Sequence, residues 1–150
     1  MEVLSKFTQQ IYNLQRSVYT MQSQLGQKDE DLRRLKQAQS KLMGDQDEFY
    51  RRVNNFQRPE LPSNPWKGEL AEEFQMFRQG DLLSSYKDIA ASQLDTTLVR
   101  LEQEIMTLEQ SINSLQGQIA STNSSISDLK EKREELPNRW VLKLNWVILK

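Results

Sequence analysis

The 150 residues contain neither histidine nor cysteine. That removes the imidazole base, the thiolate nucleophile, the common zinc ligands and the disulfide together. Carboxylates remain, in two clusters: Asp45, Asp47 and Glu48, and Glu72 with Glu73. A carboxyl does general acid work when burial holds its proton. These acids recur at helical spacing in polar surroundings, as on a solvated face, and no pocket-forming element accompanies them. The reading is a protein that is not an enzyme, with no cofactor, no metal and no small-molecule substrate. Its remaining chemistry is recognition. The basic pairs Arg33-Arg34 and Arg51-Arg52 are isolated and sit near acids in a chain of net charge −1. That is no footprint for nucleic acid.

The elements that position recognition residues can be read from the apolar pattern. Hydrophobic residues make up 37% and charged residues 27%. So few apolar residues support a fold when they are gathered on one stripe. From Leu4 they are. Leu4, Ile11, Val18, Leu25, Leu32, Gln39, Gln46 and Val53 form one row. Phe7, Leu14, Met21, Lys28, Leu35, Leu42, Phe49 and Phe56 form the other. Spacings of three and four alternate without a break, the seam of a coiled coil or long bundle helix. Lys28, Gln39 and Gln46 weaken the middle and are candidates for fixing register. Gly26 and Gly44 cost about 1 kcal/mol each relative to Ala without ending the pattern.

A second seam runs through Leu94, Leu98, Leu101, Ile105, Leu108, Ile112, Leu115, Ile119, Ile126 and Leu129, with Thr122 its polar position before Arg133. Between the two seams stand Pro59, Pro62 and Pro65, which no helix continues through. Asn64-Pro65 reads as N-cap and first helical residue. The stripe of Leu70, Phe74 and Phe77 then shifts phase near Gly80-Asp81 and resumes at Leu82, Tyr86 and Ile89. A kink or short break at Gly80 and a smooth helix with a stutter both account for that shift.

The fold class is therefore all-α: one long antiparallel helical hairpin. Helix 1 spans about 2–57, the turn 58–65, and helix 2 about 66–136, ending at Pro137. A first helix of about 55 residues is roughly 80 Å long. Helix 2 is longer and should overhang it beyond about residue 120, with Ile126 and Leu129 left to be covered. The apolar tail, 137–150, has no assigned role. Trp140, Leu142, Leu144, Trp146 and Ile148 alternate as on a strand, whereas a helix gathers Trp140, Leu144, Val147 and Ile148. A packing tail, a sequence foreign to the natural domain and a membrane-surface anchor all stand open, the last the least favoured.

Trp66-Lys67-Gly68 is the most informative tripeptide. A Trp beside the turn can cap the hairpin core. Gly68 permits close approach or positive φ, and Ala71 and Phe74 carry the face onward. A hairpin with Trp66, Gly68, Ala71 and Phe74 at its turn resembles the WXG superfamily of type VII secretion. In detail it is similar to the YwqH-like family, on Trp66-Lys67-Gly68, Ala71, Phe74, Arg78, Gly80, Tyr86, Ile89 and the Leu/Ile heptads, over about residues 1–136. The resemblance implies a small helical partner of LXG-domain toxins in Gram-positive bacteria. Such a partner binds the toxin's LXG helices and accompanies it to a type VIIb secretion machine. Export substrates often carry Tyr-x-x-x-Asp/Glu after the second helix. Tyr12, Tyr19, Tyr50 and Tyr86 lack the acid. Phe77 and Asp81 match a Phe-x-x-x-Asp variant, placed just after the turn.

Two helices cover each other on one side only, so the seams want a third or fourth helix. That helix comes from an LXG-domain toxin, another small helical protein or a second copy of this chain. The other reading is a cytoplasmic, self-associating structural coiled coil. The N-terminus shows no cleavable signal pattern, and no apolar run reaches the roughly 18 residues of a spanning helix. The expected location is the cytoplasm, with export alongside the partner left open.

Overall fold

The structure, a computed structural model, describes residues 2–56 and 68–148. Apart from a bend at Gly68, every described residue is helical, and none lies in a strand. Helix α1 runs Glu2–Arg52 and tightens into a 3-10 turn, Val53–Phe56. Helix α2 (Glu69–Phe77), a π-turn (Arg78–Leu82), α3 (Leu83–Asp88), a second π-turn (Ile89–Gln93) and α4 (Leu94–Ile148) follow one another. The fold is all-α, and α1 continues through Gly26 and Gly44. Two compact units make up the chain. One is Met1–Asp31 with Leu108–Lys150, the other Leu32–Thr107.

In the first unit the seams meet as an antiparallel pair. Ile11, Val18 and Ile126 are buried, with Leu14, Met21, Ile119 and Leu129 packed against them. Phe7 shares a groove with Leu136, Leu14 one with Leu129, and Met21 one with Thr122, so the directions oppose. Ile112 and Leu115 are buried as well. Leu4, Phe7, Leu25 and Leu108 are half-buried. Thr122 sits in the seam at little cost, because its hydroxyl donates to Gln118 O at 2.8 Å within its own helix.

Ile126 therefore does not belong to an uncovered overhang, and the expectation of one beyond residue 120 is corrected. The reason lies in the second unit. There the 3-10 turn that follows α1, Val53–Phe56, packs on α3. Among the described residues that turn faces α3, so partners fall later in the chain than equal-length counting from a turn at 58–65 allows.

The second unit buries Leu83, Ala90 and Ile105. Leu32, Leu35, Leu42, Leu94, Leu98 and Leu101 are half-buried. Phe49 and Tyr86 stack as tilted rings with centroids 4.8 Å apart. The phase shift near Gly80 is neither a break nor a smooth α-helix. The helix absorbs it in the π-turn Arg78–Leu82, which inserts one residue without ending the ladder. The inward positions Arg78 and Leu83 lie five apart. Leu82 consequently stays 39% exposed and Leu83 is 8% exposed. The stripe resumes at Leu83, not at Leu82 as the simple repeat suggests.

The second π-turn has a side-chain partner. Leu94 N–H donates to Ile89 O rather than to Ala90 O. That leaves the Ala90 carbonyl without its helical donor, and the residue is fully buried. Gln46 Nε2 donates to it at 2.7 Å from the facing helix. A polar residue in an apolar seam thus satisfies one carbonyl freed by the π-turn, and ties the two helices at one register.

Helix α4 also passes through Pro137 to Ile148, where the sequence places a helix end. Pro137 cannot donate to the carbonyl of Arg133, and its ring crowds that turn. Arg133 is only half-buried and the segment from Pro137 onward is exposed, so the helix passes the proline at its solvent-facing end. The strand reading of 140–148 is set aside with it. No helix among the described residues is long and apolar enough to cross a membrane.

Candidate interaction surface

Gly68 opens α2 and explains one residue of the turn motif. Its φ of 143° and ψ of 170° lie in a region essentially reserved for glycine. From there its carbonyl accepts Ala71 N–H and Glu72 N–H, each at 3.2 Å. Such a residue cannot lie inside a right-handed helix, so α2 starts at Glu69 rather than near residue 66. Trp66, the Asn64-Pro65 cap and the turn 58–65 lie outside the described residues.

Helix α2 carries two stripes. Ala71, Gln75 and Arg78 are half-buried. Leu70, Phe74 and Phe77, at i, i+4 and i+7, form the other stripe, with Leu70 83% and Phe74 53% exposed. Ala71 and Phe74 therefore do not share a face. The apolar stripe points outward, and the inward stripe is small or polar. Met76 and Leu82 add to the exposed apolar area. The 3-10 turn Val53–Phe56 meets α3, the helix that follows α2 and the first π-turn. Phe77 and Asp81 are both exposed, with Asp81 inside the first π-turn.

Of the two carboxylate clusters, Asp47, Glu48, Glu72 and Glu73 are exposed and Asp45 is half-buried. Glu48 pairs with Arg52 one helical turn on, and both are more than half exposed. Among the described residues, no group of His, Cys, Asp or Glu is arranged to hold a metal ion. The inward positions Gln75, Arg78, Leu83 and Ala90 were not apparent from the repeat. Their signal was the five-residue step from Arg78 to Leu83, repeated from Ile89 to Leu94.

The sequence model of the YwqH-like family matches residues 9–131. The chain belongs to the YwqH-like family. The matched span takes in the first seam from Ile11, the whole second seam, α2 and both π-turns, and stops before Pro137. No curated protein and no solved structure matches this YwqH-like chain.

Proposed function

We propose that this YwqH-like chain is a non-catalytic helical partner of an LXG-domain toxin, which it binds for export by a type VIIb secretion machine in a Gram-positive bacterium. Membership of the family supports the reading. The observation that carries it is the outward stripe of Leu70, Phe74 and Phe77 beside a seam that stays half-buried along much of its length. Each Leu or Phe fully covered contributes about 1.5–3 kcal/mol, and part of that is unrealised in a two-helix pair. Amphipathic toxin helices laid along this stripe and the seam complete a helical bundle. Neither partner needs a catalytic group for this role.

Co-expression with an LXG-domain protein, followed by light-scattering mass measurement of the purified material, tests the proposal. A hetero-complex that Phe74→Glu with Phe77→Glu dissociates supports it. Failure to co-purify, with a homodimer formed by this chain alone, favours the self-associating structural coiled coil. Toxin release unchanged by deleting this chain's gene removes the export role. Asp81→Asn, tested in the same release assay, addresses the Phe77/Asp81 motif separately from binding.

A further inference from the structure

Residues 138–148 form the most apolar exposed stretch of the described chain, and they lie outside the family match. Seven of them, Trp140 to Leu142, Leu144 and Trp146 to Ile148, are large hydrophobics with exposures from 55% at Val141 to 77% at Ile148. All are helical. Trp140, Leu144, Val147 and Ile148 fall on one face at i, i+4, i+7 and i+8. Val141 widens that face on one side. Arg139 and Lys143, four apart, share another face, with Trp146 three residues on beside them. The segment 136–148 contains no acid.

We infer that this segment is an interfacial helix that lies on an anionic lipid surface. Charge complementarity selects that occupant. Arg139 and Lys143 attract anionic headgroups, while their alkyl stems lie along the apolar body. A second copy offers no acid in this segment, so pairing two tails brings like charges together in either direction. The breadth of the apolar face argues the same way. A partner helix covers one stripe, whereas a headgroup–acyl boundary surrounds a wider arc. The indoles of Trp140 and Trp146 suit that boundary, apolar in body with one N–H donor. Arg139, Lys143 and Asn145, set among the apolar residues, suit a helix lying in the interface plane.

The test uses the full chain, co-sedimented with vesicles of phosphatidylglycerol and phosphatidylcholine, and with phosphatidylcholine alone, over a salt series. The chain should pellet with the anionic vesicles, less with the neutral ones, and be released as salt rises. Arg139→Ala and Lys143→Ala should each weaken anionic binding about fivefold. Leu144→Asp with Ile148→Asp should abolish it while leaving far-UV helicity intact, since both positions are exposed. The inference is overturned if the chain stays in the supernatant, if the double variant still pellets, or if binding ignores salt and headgroup charge. It is equally overturned if light scattering finds a tail-dependent dimer that the double variant returns to monomer and that leaves vesicles unbound. In that case the occupant is a second copy.

Discussion

Ile11, Val18 and Ile126 in the first unit, and Leu70, Phe74 and Phe77 in α2, are all large apolar residues on the stripes of amphipathic helices. The first group is buried at 4%, 8% and 7% exposure, and the second is exposed. Their difference is what lies opposite. The seam of α1 meets α4 in the first unit, whereas the 3-10 turn after α1 meets α3 and not the outward stripe of α2. Apolar periodicity identifies a face that can be buried. Its burial depends on where the facing helix ends.

Substitutions can break or sharpen that contrast. The largest loss should come from Ile126→Ala, which empties the centre of the first cluster. A destabilisation of about 2–5 kcal/mol is typical of such a deletion, read as a shift in the urea midpoint at constant slope. If the loss is below about 0.5 kcal/mol, the seam is no more of a core than α2 is. Gly68→Ala should cost about 1–3 kcal/mol. No neighbour lies within 4 Å of the added Cβ, so the loss is backbone strain alone. A neutral result in thermal melting would mean that the φ of 143° is not held in solution.

Gln46→Ala removes the donor to Ala90 O and should cost on the order of 1 kcal/mol. Faster amide exchange around Ile89–Gln93 should accompany it, because the π-turn then has one unsatisfied buried carbonyl. Gly44→Ala should act the other way and stabilise by about 0.5–1 kcal/mol, since Gly44 is helical with open space around its Cβ position. Phe74→Ala should be the quietest, within about 0.5 kcal/mol on the isolated chain. A large loss there would show that the stripe is covered in the free protein, and would end the comparison.

Much of this was legible from residue spacing. The rows from Leu4 to Val53 and from Leu94 to Leu129 are the rows the structure keeps from full exposure. One helix period governs both patterns, and no proline interrupts them. The candidate surface was legible only in part. Gly68 stood out because so few residues reach positive φ. The outward turn of Phe74 and the inward place of Leu83 did not, because a one-residue π insertion between them rotates the two flanking stretches relative to each other by about 100° at 3.6 residues per turn. Pro137 misled for a related reason. A proline weakens a helix locally, but an exposed helix can satisfy the freed carbonyl with water.

The sequence by itself determined an all-α chain, two long seams and the absence of thiol and imidazole chemistry. These follow from residue type and local spacing, which act within a few turns. Only the tertiary structure decided where α1 stops along its partner, which stripe of α2 is left uncovered, and that Gln46 answers the Ala90 carbonyl. Those depend on register between segments far apart in the chain. Register is set by the sum of many weak contacts along both helices, and no short stretch of residues contains that sum.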